Sequence, residues 1–346
     1  MTISKFIKKL SMTVAGTAFV AFSGTTIAQA ITITPNNYGE DEKDLLGKDL
    51  VTEILGTGIT VDIDSINYRG AISASGIFTD GLSSGIGIDQ GIILTTGKAE
   101  DAEGSNDSDE TTTQNNLPGD SDLNGLITGA ATQDATILEF DFETEGGDLF
   151  FNYVFASEEY VEWTNSTYND VFGFFLNGEN IALIPGTTTP VAINTVNDGN
   201  PEPGEDPTPN NPEFFNNNDR NYGGPFFDIE YDGFTNVFTA QALGLDPGSH
   251  TIKLAIADTG DQAWDSAVFI QAQSFSDVET PYGETEDVSE PSTEETSEPT
   301  VGDVLSEPPE QNPEDVPEPS IVIGLLGVGF AGSLLKKKST TTNSHK

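Results

Sequence analysis

Short apolar runs of strand length, separated by glycine, asparagine and aspartate, fill the middle of this 346-residue chain. Every second side chain from Leu149 to Phe155 is large and apolar, and in a β-strand such side chains share one face. Many short strands of this kind predict an all-β fold, an antiparallel β-sandwich or jelly roll. The predicted strands are residues 59–63, 92–96, 137–142, 149–155, 171–176, 236–240, 251–257 and 267–275.

One segment has helical periodicity, and two others are long and polar. Five apolar side chains predict a short N-terminal helix over residues 44–55, namely Leu45, Leu46, Leu50, Ile54 and Leu55. Residues 99–125 are acidic, whereas residues 197–225 are rich in asparagine, proline and glycine. Loops this long inside a domain are usually functional or disordered. We interpret the second as a plain insertion, with ligand binding as the less favoured alternative.

The N-terminus has the pattern of a secretory signal peptide. Three lysines precede an apolar stretch over residues 10–22, and Ala28 and Ala30 form a small-x-small cleavage site. The apolar stretch is too short for a membrane anchor. We therefore expect residues 1–30 to be removed during export, so that the mature chain begins near Ile31.

The C-terminus carries a second targeting pattern. Pro317, Glu318 and Pro319 precede an apolar span over residues 321–335, and three lysines follow at 336–338. This order resembles the PEP-CTERM sorting signal, which implies transient inner-membrane anchoring through a C-terminal helix. It also implies exosortase-type sorting machinery as a partner, and transfer to the cell surface or extracellular matrix. An uncleaved tail anchor is the alternative for the segment 317–338.

An acidic segment separates this tail from the remaining chain. Residues 281–316 consist almost entirely of Glu, Asp, Ser, Thr, Pro, Gly and Val. So few apolar groups cannot offset the entropy of ordering, and like charges repel one another. We expect a disordered stalk that carries one folded domain, residues 31–280.

Composition excludes several classes of function. The formal net charge is −44, which excludes a nucleic-acid binder that neutralises phosphates with a basic face. The chain has no cysteine and two histidines, so it lacks thiolate nucleophiles and has little from which to build a transition-metal site. All 57 acidic residues but only six of the basic ones lie in residues 31–335.

Five sequence blocks follow one another along the predicted domain: residues 91–97, 119–123, 155–160, 168–174 and the pair 256–258 with 265–269. Together they resemble the signature blocks of the choice-of-anchor L domain, and they span most of residues 45–276. Members of that family are surface proteins attached by different tail signals. The resemblance therefore implies a surface protein, and it supplies no ligand and no catalytic residue.

Acidic side chains lie at the strand ends within these blocks. They are Glu158, Glu159, Asp170, Asp258, Asp261 and Asp265. Gathered carboxylates repel one another unless a cation or a proton intervenes, and calcium is an extracellular cation that prefers oxygen ligands. We therefore expect a structural calcium site, which Asn169 and Thr259 would help to complete. The alternative is that the acids are solvated at loop ends or form turn hydrogen bonds.

A weaker calcium candidate lies in residues 120–125. Asp120, Asp122 and Asn124 occupy alternate positions, as in the first half of an EF-hand loop. The twelfth position is Ala131 rather than glutamate, which excludes a complete EF-hand and leaves only a looser calcium loop.

The sequence thus predicts a calcium-stabilised, non-catalytic surface protein with a binding or structural role in the exopolysaccharide layer. Trp163 and Trp264 adjoin the acidic blocks and would form a platform for matrix polysaccharide if exposed, although core packing is an equal alternative. A carbohydrate-active hydrolase that uses paired carboxylates is the alternative from another class. No spacing in the chain selects its acid and its nucleophile.

Overall fold

The computed structural model describes residues 29–127 and 131–283, and all structural statements below concern those residues. In chain order the elements are β1 (Thr32–Pro35), α1 (Lys43–Ile54), β2 (Thr60–Val61), β3 (Asn67–Arg69), β4 (Ser75–Thr79), α2 (Gly81–Ser84), β5 (Gly91–Thr95), β6 (Thr132–Thr144), β7 (Gly147–Ser157), β8 (Val171–Leu176), β9 (Glu179–Asn180), β10 (Phe215–Asn217), β11 (Gly233–Thr235), β12 (Phe238–Leu245), β13 (Gly248–Thr259) and β14 (Ser266–Gln271).

The strands form two sheets in which neighbouring strands run antiparallel. The first has eight strands, ordered β1-β4-β5-β14-β7-β11-β10, with β12 also paired to β7. The second has six, ordered β2-β6-β13-β8-β9, with β3 also paired to β6. The predicted antiparallel, mostly β class is confirmed. Strands β13 and β14, the last two in the chain, lie inside their respective sheets.

The two sheets pack against each other through aromatic side chains. Alternate residues of β7, from Leu149 to Phe155, are at most 1% exposed, as the period of two predicted. The Phe151 ring lies 4.9 Å from the Phe174 ring, and the Tyr153 ring lies 5.4 Å from the Phe172 ring, so β7 meets β8 of the other sheet. Ile252, Leu254 and Ile256 of β13 belong to the same core.

The predicted helix is present as α1, but one residue of its apolar stripe was placed wrongly. Leu46, Leu50 and Ile54 are buried at a spacing of four residues. Leu45 is 50% exposed, whereas Val51 is buried. Each residue advances about 100° around a helix, so only one flank of the stripe faces the sheets. That flank contains Val51 rather than Leu45.

All eight predicted strands are found, β8 with the predicted ends and the other seven with shifted ends, and six further strands were not predicted. Strand β14 ends at Gln271 rather than at residue 275, because the following turn contains Gln273 with a positive φ of 56°. The missed strands are β1, β3, β4, β9, β10 and β11. Four of these, β3, β9, β10 and β11, have at most three residues, and β1 has little apolar alternation.

Four strand ends meet at one end of the molecule. Ser157 at the end of β7 pairs with Ser266 at the start of β14, and Val171 at the start of β8 pairs with Ala257 near the end of β13. This arrangement brings together the segments that follow β7, precede β8 and connect β13 to β14.

Several predictions concern residues beyond this description. Ala28, the stalk after residue 283, and the sorting segment with Pro317, Glu318 and Pro319 all lie outside the described residues. Among the residues that are described, no helix is both long enough and apolar enough to cross a membrane.

Candidate metal centre

Buried acidic side chains far outnumber buried basic ones. Among the described residues only Lys253 is a buried basic side chain, whereas ten acidic side chains are buried. These are Asp120, Asp134, Glu158, Glu159, Asp170, Asp219, Glu230, Asp232, Asp258 and Asp265. Because a buried carboxylate is costly without a partner, the environment of each one requires an account.

Five of these side chains form what we call the central cluster: Glu158, Glu159, Asp170, Asp258 and Asp265. Asp170 connects the strand ends, because its Oδ1 accepts a hydrogen bond from the Thr259 backbone N–H at 2.8 Å. Its Oδ2 accepts one from the Ser266 hydroxyl at 2.7 Å. The Glu158 backbone N–H donates to the Asp265 carbonyl at 3.0 Å, which fixes the segment after β7 beside the start of β14.

Most carboxylate oxygens of the central cluster have no hydrogen-bond partner among the described residues. Both oxygens of Glu158, of Glu159 and of Asp258 are buried and unpartnered, and so is Oδ1 of Asp265. The neighbouring Thr259 hydroxyl oxygen is also buried and unpartnered. Buried polar groups in proteins are nearly always satisfied, so this group of oxygens is suited to bind a ligand from outside the chain.

The pKa values of these groups are raised, first by burial and then by one another. Burial, followed by the charges of Asp170 and Asp261, raises the pKa of Glu159 to about 11. Burial raises the pKa of Asp170 to about 7 despite its two hydrogen bonds, and that of Asp265 to about 8. The pKa values of Glu158 and Asp258 also lie well above the ordinary range.

Two donors approach the unpartnered carboxylates without making a hydrogen bond. The Thr111 backbone N–H lowers the pKa of Glu158, and the Thr96 hydroxyl lowers that of Asp258. Neither contact reaches hydrogen-bonding geometry, since all four oxygens concerned stay unpartnered. Burial raises the two pKa values by more than these contacts lower them.

The other predicted ligands differ in their availability. Asp261 is half-buried, and its Oδ1 accepts a hydrogen bond from the Ala263 N–H at 3.0 Å, yet its charge raises the pKa of Glu159 and Asp170. Asn169 Oδ1 accepts from the Asn194 N–H at 2.8 Å and is therefore already engaged. Ala30, from the predicted cleavage site, is half-buried just before β1.

Basic side chains do not neutralise the central cluster. The six basic residues of residues 31–335 are Lys43, Lys48, Arg69, Lys98, Arg220 and Lys253, and all lie in the described part of the chain. Their ion pairs involve Glu40, Glu139, Glu100, Asp120 and Asp122, none of which belongs to the cluster. The arrangement therefore offers several hard oxygen ligands and excess negative charge, which suits a hard divalent cation such as calcium.

The acids of residues 120–125 have a different environment. Lys253 Nζ donates to Asp120 Oδ1 at 2.6 Å and to Asp122 Oδ2 at 2.7 Å. Asn124 Oδ1 accepts from the Thr132 backbone N–H at 2.7 Å. An ammonium group thus occupies the position in which a calcium ion would neutralise these two carboxylates, and the ion pair accounts for them.

Comparison with known families identifies the fold around these carboxylates. The sequence profile of the choice-of-anchor L domain matches residues 35–276, more than half of the chain. The chain belongs to the choice-of-anchor L domain family. This membership indicates an exported, surface-anchored, non-catalytic protein. Neither the curated proteins nor the solved structures give a significant match.

The choice-of-anchor L domain also contains a carboxylate group that sequence reasoning missed. Glu162, Asp219 and Asp232 each place a carboxylate oxygen within 4.8 Å of the other two, and we call them the insertion cluster. Asp219 lies in residues 197–225, so the interpretation of that segment as a plain insertion overlooked a buried acid. The sequence signal that could have indicated Asp232 is the alternation of acids with Ile229 and Tyr231 just before β11.

The acidic segment 99–125 lines the same end of the choice-of-anchor L domain. Its backbone N–H groups and hydroxyls donate to buried carboxylates: Thr113 N to Asp265 Oδ2 at 2.8 Å, and Thr111 Oγ1 to Glu230 Oε1 at 2.8 Å. Asn115 N donates to Asp134 at 2.9 Å. This segment therefore satisfies some of the buried acids and encloses the others.

Both tryptophans of the domain lie beside the central cluster. The Trp163 and Trp264 rings are 5.2 Å apart, and Tyr168 packs edge-on against Trp163 at 5.0 Å. All three rings are half-buried, so they are neither core residues nor freely exposed. The Trp264 indole N–H donates to the Asp109 carbonyl at 3.0 Å, which fixes its orientation.

Proposed function

We propose that this surface-anchored protein has a binding or structural role in the exopolysaccharide layer and that calcium, bound at the central cluster, stabilises its fold. The observation that carries the proposal is the burial of Glu158, Glu159 and Asp258 with all six carboxylate oxygens unpartnered. Within the described residues, no side-chain or backbone group donates a hydrogen bond to any of these six oxygens.

Calcium fits this group better than the alternatives. Solvation at loop ends does not apply to side chains that are at most 1% exposed. Protonation would neutralise single carboxylates and let each donate one hydrogen bond to a neighbouring acid, but the remaining oxygens of the cluster would still lack donors. A calcium ion takes six to eight oxygens, including hydroxyls and both atoms of a carboxylate, in irregular geometry. Zinc is disfavoured because the group contains no histidine or cysteine.

The calcium proposal is tested by titrating metal-stripped protein. With a Kd of about 10 µM, 1 mM calcium stabilises the fold by about 2.7 kcal/mol. For a domain of this size that corresponds to a rise in Tm of roughly 5–10 °C. Asp258→Asn should lose most of this rise and of the binding heat, while the exposed control Asp64→Asn should retain both. Absence of both heat and Tm shift in the wild-type protein would refute the proposal.

Matrix polysaccharide is the proposed partner. The support is the half-buried pair Trp163 and Trp264 beside the cluster, because aromatic faces stack on sugar rings. Trp264→Ala should weaken sedimentation with an isolated matrix fraction several-fold, whereas Phe226→Ala, which removes an exposed ring elsewhere, should not. Release of reducing sugar during this assay, abolished by Glu159→Gln, would instead favour the hydrolase alternative.

Attachment is proposed to proceed through the C-terminal tail. The support is the order of Pro317-Glu318-Pro319, an apolar span and a lysine cluster, which resembles a signal for exosortase-type machinery. The mature protein recovered from the cell surface should then have an intact mass that lacks both residues 1–30 and the segment after the cleavage point. An intact mass that still includes residues 321–346 would indicate an uncleaved anchor.

A further inference from the structure

We propose that the insertion cluster of Glu162, Asp219 and Asp232 binds a second calcium ion, which fastens the 197–225 insertion to the body of the domain. Glu162 follows β7, Asp232 immediately precedes β11, and Asp219 belongs to the insertion. One carboxylate oxygen from each lies within 4.8 Å of the others, a spacing that one cation can bridge.

Two of the three side chains are fully buried and incompletely paired. Asp219 and Asp232 are both 0% exposed, and Oδ2 of each has no hydrogen-bond partner among the described residues. The two unpartnered oxygens are a second observation, separate from the proximity of three acids. Both oxygens are therefore available to a positively charged ligand.

Each carboxylate also accepts a hydrogen bond that orients it. Asp219 Oδ1 accepts from the Asn221 backbone N–H at 2.6 Å, and Asp232 Oδ1 accepts from the Asn106 side-chain amide. Glu162 Oε2 accepts from the Val161 N–H at 2.9 Å. Hydrogen bonds of this kind are typical of metal sites, where they fix the direction of the ligand.

The electrostatics of the cluster agree with this geometry. Burial, followed by the charges of Asp219 and Glu162, raises the pKa of Asp232 to about 9. Burial also raises the pKa of Glu162 to about 7. Carboxylates in this state are stabilised by a cation, and an all-oxygen set outside the cell selects calcium.

The site is adjacent to the central cluster but distinct in its ligands, so calcium stoichiometry separates the two proposals. Native mass spectrometry of the mature chain in calcium should show two ions for the wild-type protein, and one for Asp219→Asn and for Asp232→Asn. The exposed acid Asp198 lies in the same insertion, and Asp198→Asn should retain two.

The outcomes distinguish the two sites. One ion in the wild-type protein that survives Asp219→Asn but not Asp258→Asn would overturn this inference and leave the central site intact. One ion in the wild-type protein that is lost in Asp219→Asn but retained in Asp258→Asn would overturn the central site alone. Wild-type protein without any ion would overturn both.

Hydrogen exchange gives a second test that does not depend on counting ions. The Asn218 N–H donates to the Asp232 carbonyl and the Gly224 N–H to the Asp219 carbonyl, both at 2.7 Å. Calcium should slow exchange at both amides in the wild-type protein and in Asp198→Asn by at least tenfold. If Asp219→Asn showed the same slowing, the proposed fastening would be wrong.

Discussion

The stability of the metal-free protein should fall as the pH rises from 5 to 7, and calcium should abolish this fall. Asp265 is 2% exposed, and burial raises its pKa to about 8 from an ordinary 3.8. A group whose pKa is higher in the folded state stabilises the fold fully below its unfolded pKa. That stability is lost as the pH rises through the folded pKa.

The magnitude follows from the protons taken up on folding. One proton changes the free energy of unfolding by 1.36 kcal/mol per pH unit, so Asp265 alone costs about 4 kcal/mol at pH 7. Asp170, with a pKa of about 7, adds a cost of the same sign. Because whole domains are stable by about 5–15 kcal/mol, these two groups bring the metal-free protein close to unfolding at neutral pH.

Urea unfolding of metal-stripped protein between pH 5 and 7 measures this slope, with and without 1 mM calcium. Asp265→Asn keeps the shape of the side chain but removes the proton, so its slope should be shallower by about 1.4 kcal/mol per pH unit. The exposed Asp64→Asn should retain the wild-type slope. Metal-free stability that is constant or rises with pH would refute the argument that these acids are buried without a cation.

Two further predictions concern paired and unpaired buried groups. Tyr153→Phe should raise the free energy of unfolding by about 1 kcal/mol, because the Tyr153 hydroxyl is buried without a partner. Tyr160→Phe should lower it by about 1 kcal/mol, because the Tyr160 hydroxyl donates to the Val196 carbonyl at 2.8 Å. Both free energies are measured by urea unfolding in saturating calcium. If the two substitutions lowered the free energy of unfolding equally, this pair of predictions would be contradicted. Lys253→Met should cost about 3 kcal/mol by leaving Asp120 buried without its cation, and adding Asp120→Asn should restore part of the loss; no recovery would count against the ion pair.

Local patterns in the sequence were sufficient for much of the fold. The period of two between Leu149 and Phe155 specifies one buried face, and a one-residue slip would expose the entire set. Strands such as β10 and β11, with three residues each, contain too little pattern to be distinguished from loops. They form because neighbouring strands supply their hydrogen-bond partners: β7 pairs with β11, and β11 pairs with β10.

The central cluster was visible in the sequence because antiparallel strands bring their opposite ends together. Asp170 directly precedes β8 and Asp258 lies at the end of β13, so pairing of these strands places the two acids side by side. The role of calcium there stays a prediction. The pairing of Lys253 with Asp120 spans 133 residues, and no local spacing predicts such a contact. Asp219 was missed for the same reason.

The positions of β13 and β14 within the two sheets have a consequence for a chain that is delivered across a membrane from its N-terminus. Until residues 248–271 arrive, β6 and β8 belong to separate fragments, and so do β5 and β7. Neither sheet can close on a partly translocated chain. Such a chain would cross the membrane unfolded and fold in one late step. In that step β13 would join β6 to β8 in one sheet, and β14 would join β5 to β7 in the other.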